Sequence, residues 1–241
     1  MRLCSILAAV AATALLSSAV SAATIAFTSG TFTDNTVLAL VGTAAQVNTP
    51  GSGYAVNFGG ATVTTNNNYV FGADDGSNVT RFGGLNAYNG YLGGAASGDS
   101  NFDTALANGL YGLAWEKTLT LKNLTIGTTY NVLTLLADTR SNDPGNLADR
   151  SITVTDGGAN SINQPYAYPA GSSNLGGYVL GTFTANANTQ TITQEVFNSN
   201  GQTAGAQFNA VLVAAVPEPA TLSLLGLGAI GLLSRRRAKK A

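Results

Sequence analysis

Hydrophobic positions along this chain come in short runs, separated by clusters of glycine, asparagine and aspartate. Nine runs read as strands: Thr24–Phe27, Thr36–Val41, Tyr54–Phe58, Glu116–Lys122, Tyr130–Ala137, Ser151–Thr155, Tyr178–Ala185, Gln190–Phe197 and Phe208–Ala214. Each is rich in Val, Ile, Thr, Leu or aromatic residues and is bounded by turn formers. Leu119 and Leu121 alternate with Thr118 and Thr120, and Ile152 and Val154 with Thr153 and Thr155. A period of two puts one face on a core and the other in water. Tyr130–Ala137 is apolar in both registers, as suits a central strand. Phe102–Tyr111 is the one helical candidate, and Asn108-Gly109 would end it. Many strands with little helix predict an all-β fold, a two-sheet β-sandwich of the jelly-roll kind.

Both termini break this pattern. Arg2, the apolar stretch Ile6–Leu16 and the small residues up to Ala22 have the order of a secretory signal peptide, too short in its apolar core to span a membrane. Cys4 precedes that core instead of following it, which argues against a lipid anchor. At the other end, Ala220–Leu233 offers 14 mostly apolar residues, about 21 Å of helix. That is a short span, which snorkelling arginines can stretch. Arg235, Arg236, Arg237, Lys239 and Lys240 follow it, and positive flanks stay on the cytoplasmic side. This transmembrane helix and the signal peptide therefore place the body on the same, outer side. The expected division is 1–22 signal peptide, 23–215 sandwich, and 216–241 tail.

The formal charge of −1 hides an uneven distribution. The terminal segments hold six of the 11 bases and one of the 12 acids, so the body carries a net charge of about −6. Such a surface excludes nucleic acid as a partner, because phosphates are neutralised by clustered Lys and Arg. The body contains neither Cys nor His. It has no disulfide and no His/Cys zinc site, and it cannot build a Ser-His-Asp triad or a Cys-His pair. Glu116 and Glu195, its only glutamates, fall in strand-like runs, and nothing in the sequence marks an opposed carboxyl pair for glycoside hydrolysis. The body therefore reads as non-catalytic; the alternative is a secreted carbohydrate-active enzyme, a glycoside hydrolase or lyase. Gly226–Gly231 matches the dinucleotide fingerprint, but no strand precedes it and the acidic ribose partner has no room to follow.

No cofactor is called for. Calcium is the one ion the loops suit, through Ala73–Asn78 and Asp138–Asp149, although Asx turns also account for Asp and Asn there. Four loop tyrosines are the candidate ligand contacts: Tyr88 and Tyr91 in a Gly-Asn loop, Tyr166 and Tyr168 in a Pro-bracketed one. Asp138 and Arg140 follow the central strand. Aromatic faces beside such polar groups suit a pyranose ring. The competing reading is that the tyrosines cap the sandwich edge and Arg140 pairs with an acid. Trp115, next to a strand start, reads as core.

The tail resembles the PEP-CTERM sorting signal: Pro217-Glu218-Pro219, then a short hydrophobic helix, then Arg235, Arg236 and Arg237. The resemblance implies recognition by a membrane-embedded exosortase that removes the tail near the tripeptide. It also implies export through the Sec translocon, cleavage by signal peptidase, and delivery to the surface of a Gram-negative cell that makes extracellular polysaccharide. "LTLKNLTIGTTYNVLTLLAD", "GGYVLGTFTANANTQTI" and "QFNAVLV" resemble, in that order, a jelly-roll domain of secreted PEP-CTERM proteins. That domain is related to galactose-binding-like and malectin-like sandwiches, which often bind carbohydrate through loops at one edge. The expectation is an exported surface or extracellular-matrix protein with a polysaccharide-binding or matrix-structural role.

Overall fold

The larger of two main sheets runs, edge to edge, Ala26–Phe32, Gly176–Thr184, Thr129–Leu136, Ala210–Ala215, Gly53–Asn57, Val70–Ala73 and Val63–Thr64. These strands come from a computed structural model that describes residues 22–217, apart from 83–85, 113–115, 141–149, 159, 169–171, 198–202 and 205. Residues 1–21 of the expected signal peptide, Trp115, Glu218, Pro219 and Arg235, Arg236 and Arg237 lie outside the described residues. The smaller sheet runs Ser161–Pro165, Ser151–Thr155, Gln190–Phe197, Glu116–Leu121 and Val79–Phe82, with Thr203–Ala204 added beside Gln190–Phe197. From Glu116 to Ala215 the main strands alternate between the two sheets except at the Ser151–Thr155 to Ser161–Pro165 hairpin, which stays within the smaller one. A third, small sheet of Ala206–Phe208, Asn108–Gly112 and Asn86–Asn89 sits at one end. The architecture is an all-β sandwich.

Gln190–Phe197 follows the alternation strictly: Gln190, Ile192, Gln194 and Val196 are buried and their neighbours half-buried. Thr129–Leu136 is different, and its lack of alternation has a structural cause. Tyr130, Val132 and Leu136 face the layer between the sheets. Leu133, Leu135 and Ala137 face a second apolar layer on the outer side. Short helices cover that outer face: Asn35–Leu40, Ala44–Asn48 and Ser100–Ala107 contribute Val37, Leu38, Val47, Phe102, Ala105 and Leu106.

The helical cover corrects three expectations. Thr36–Val41 is not a strand: it is covered by the 3₁₀ helix Asn35–Leu40 and its C-cap Val41, and at the start the Asp34 carboxylate accepts from the Thr36 N–H at 2.9 Å. Val37, Leu38 and Val41 are buried in one cluster, a spacing that a helix satisfies and an alternating strand does not. The helix expected over Phe102–Tyr111 starts earlier and ends at Ala107. Asp99 caps it by accepting from the Asn101 and Phe102 N–H groups at 3.0 and 3.2 Å, and Asn108–Gly112 turns into a strand. Phe208–Ala214 is cut at Asn209, with Ala206–Phe208 in the small sheet and Ala210–Ala215 in the large one. Val63–Thr64, Val70–Ala73, Val79–Phe82 and Asn86–Asn89 are too short for alternation to reveal them.

Candidate functional site

The Thr129–Leu136 strand ends in Ala137 and Asp138, and there the six residues singled out for ligand contact converge. Asn86–Asn89 carries Tyr88 in the small sheet. Tyr91 follows and is tied at both main-chain groups: its N–H donates to Ala107 O at 3.2 Å, and its carbonyl accepts from the Thr139 N–H at 2.8 Å. The loop after it presses onto Thr139 and Arg140; a Cβ on Gly93 would lie 2.9 Å from the Thr139 carbonyl, and the residue has φ +52. Gly109 is required for a similar reason, since a Cβ there would meet Phe208 O and the Tyr91 ring, each at 2.7 Å. From the other side, a parallel bridge pairs Asp138 with Ala167, and the Tyr168 N–H donates to Asp138 O at 2.9 Å.

Arg140 is the hub. Its Nε and Nη2 donate to Asp138 Oδ1 and Oδ2 at 2.8 and 2.6 Å, a forked pair with the carboxylate fully buried. Its guanidinium carbon lies 5.1 Å from the Tyr88 ring centre and 5.0 Å from that of Tyr91, within cation–π range. The Tyr88 and Tyr91 rings meet nearly edge to face at 4.8 Å, and Tyr111 stands perpendicular to Tyr88 at 6.2 Å. Hydrogen bonding to Asp138 holds the Arg140 guanidinium above its ordinary pKa against the opposing effect of burial. Burial pushes the Tyr91 phenol up, with Arg140 opposing, and pushes Tyr166 up, with Arg150 opposing.

The six residues differ in how open they are. Tyr91 is 2 % exposed, and Tyr166 and Asp138 are fully buried. As the face of an open sugar-stacking surface these three are unavailable: Tyr166 belongs to the core between the sheets, and Asp138 is committed to Arg140. Tyr88, Arg140 and Tyr168 are half-exposed. Tyr111, at 39 % exposure, is the accessible ring that sequence reading missed, because its run looked helical. Its strand pairing with Asn86–Asn89 is a long-range fact.

Of the calcium candidates, 141–149 lies outside the described residues, and the described acids have other partners. Asp74 pairs with Arg81 at 2.6 Å, Asp75 accepts from the Ser77 N–H at 2.8 Å, and Asp138 is held by Arg140. Among the described residues no three acidic, His or Cys side chains gather as a metal site. A cavity of about 530 Å³ lies at the opposite end of the sandwich, between Tyr54, Tyr130, Val70 and Leu124. None of the six candidate residues lines it.

No curated protein matches the chain by sequence. Solved structures similar in fold include the ANX1 ectodomain from Arabidopsis thaliana (TM-score 0.48, 10% identity, covering 69% of this chain and 42% of that one). A chain from the complex of plant peptide RALF23 with FER and LLG2 gives TM-score 0.46 at 13% identity, over 77% of this chain and 54% of that one. The exo-beta-1,3-galactanase from Phanerochaete chrysosporium, solved with galactose, gives TM-score 0.36 at 16% identity, over 67% and 29%. This chain thus spans about half or less of each. No ligand passes across likenesses of this size. Among the described residues no helix is long and apolar enough to cross a membrane. The carboxyl end is the specific match: residues 215–237 are a PEP-CTERM protein-sorting motif, and this is an exported, exosortase-sorted protein.

Proposed function

We propose that the exported sandwich is a non-catalytic surface or matrix protein of a Gram-negative envelope, binding polysaccharide at its tyrosine-rich end. One observation carries the reading: half-exposed Tyr88 and Tyr168, exposed Tyr111 and the half-exposed Arg140 guanidinium gather around one end of the sandwich. Rings that offer an open face beside hydrogen-bond donors are suited to pyranose stacking. The buried members, Tyr91, Tyr166 and Asp138, act from behind by fixing the guanidinium and the rings. Binding of the processed protein to immobilised exopolysaccharide, wild type against a Tyr88→Ala, Tyr111→Ala, Tyr168→Ala variant, tests this. A variant that folds and binds as tightly as wild type overturns it.

A second reading has one observation in its favour. Strand register places Glu195 directly opposite Glu116, so the body's only two glutamates are neighbours across one strand pair. Hydrolysis of a glycosidic bond by adjacent carboxyl groups would need them. Release of reducing sugar that disappears in Glu195→Gln would favour this reading over simple binding.

A further inference from the structure

The last strand runs directly into the sorting motif. Ala210–Ala215 is paired on both sides, with Gly53–Asn57 and with Thr129–Leu136. Hydrogen bonding continues to the very end of the fold: the Ala215 N–H donates to Ser52 O at 2.6 Å and the Val216 N–H to Thr129 O at 2.8 Å. Gln46 Nε2 donates to the Ala215 carbonyl at 3.2 Å. Pro217 is exposed, and the motif already begins at residue 215. Only Pro217, Glu218 and Pro219 separate the held backbone from the apolar run at Ala220, roughly 10 Å of extended chain.

A tether this short, rooted in a central strand, dictates which end of the sandwich faces the bilayer. It is the end where Thr129–Leu136 begins, eight residues from the tyrosine end, or about 25 Å. The segments that grip the tail, 43–54 and 123–130, contain no charged residue, and neighbouring Lys122 is tied back by its Nζ, which donates to Gly76 O at 2.9 Å. Between Leu124 and Thr129 a tight turn, closed by the Thr128 N–H on Thr125 O at 3.1 Å with Gly127 at φ +85, lifts Ile126 to 67 % exposure. No other large apolar side chain among the described residues is as exposed.

We propose that in the membrane-anchored precursor the sandwich stands on the bilayer on this end, with Ile126 at the lipid interface and the tyrosine end facing away. The proposal rests on the tail acting as an anchor before processing. An apolar side chain gains by leaving water at the interface. The tyrosine end is then presented outward while the chain is still tethered.

The body lacks cysteine, so single-cysteine variants of the full chain, with Cys4→Ser, report position cleanly. Ile126→Cys and, at the far end, Asn89→Cys would each carry a fluorophore in membranes of a host lacking exosortase, with nitroxide-bearing lipids as quencher. Several-fold stronger quenching at 126 than at 89 is expected, together with loss of that difference when a long Gly-Ser segment is inserted after Val216. Equal or reversed quenching in a membrane-bound chain overturns the orientation and leaves anchoring intact. A difference that survives the insertion overturns the tether as its cause. A full chain stripped from membranes by alkaline carbonate overturns anchoring itself, and this proposal with it.

Discussion

Two polar clusters lie side by side where the larger sheet ends, and their side chains meet different partners. Around Asn209 three of the four partners are main-chain groups, the fourth being the Gln207 amide. Its Oδ1 accepts from the Ala137 N–H and Gln207 Nε2, each at 2.9 Å, and its Nδ2 donates to Leu106 O at 2.7 Å and Asn108 O at 3.0 Å. One fully buried amide thus joins the central strand, the Ser100–Ala107 helix and the small sheet. Around Arg140 the partners are side chains: the Asp138 carboxylate and the Tyr88 and Tyr91 rings. The first cluster is closed on every side. The second is closed behind and open in front, which is the condition for meeting a ligand. Polar residues at a sandwich edge are therefore not equivalent; the nature of the partner separates a joint from a candidate site.

The comparison breaks first at Asn209. Asn209→Ala orphans the buried Ala137 N–H and the Leu106 and Asn108 carbonyls, at roughly 1–3 kcal/mol for each such group. A loss on the order of 5 kcal/mol in urea unfolding is expected, and a loss below about 1 kcal/mol would deny that the cluster is a joint.

Tyr166→Ala comes next, at about 3–5 kcal/mol, since a fully buried aromatic is truncated to a cavity. Stability close to wild type at this position would return Tyr166 to the surface and to the ligand site. Arg140→Ala follows. It leaves the Asp138 carboxylate buried without its forked partner, a loss of about 3 kcal/mol. Arg140→Lys should restore only part, because an ammonium cannot make the two-pronged contact. Full recovery with lysine would show that charge alone, without geometry, holds the cluster.

The smallest effect on folding is expected at the front. Tyr88→Ala and Tyr168→Ala each remove a half-exposed ring, so unfolding should shift by roughly 1 kcal/mol or less. Polysaccharide retention should nevertheless fall. Thermal melts and binding isotherms on the same variants separate these outcomes, and a variant that melts early but binds normally would reverse the roles of front and back.

Much of this was legible in the residues themselves. Alternation in Ser151–Thr155 and Gln190–Phe197 revealed strands to the residue, because one side of each faces water and the other a core. The six ligand candidates did converge, since Tyr88, Asp138 and Tyr168 all follow or flank strands that end on one side. Tyr111 was missed because the preceding apolar run reads equally as helix. For Asp138 and Arg140 the sequence left two readings, ligand partners or an ion pair, and the structure shows the pair: Arg140 donates to both carboxylate oxygens.

What the chain determined alone is whatever depends on local order: the strand periods, and a sorting motif read as a contiguous string. Exposure is a different matter. Tyr91 and Tyr88 sit three residues apart in one Gly- and Asn-rich stretch, yet one is sealed and the other half-open. Only the tertiary structure could decide that. Burial depends on what the chain brings from far away, here Arg140 and the Asn108–Gly112 strand, and no residue carries in its own neighbourhood the identity of the side chains that will cover it.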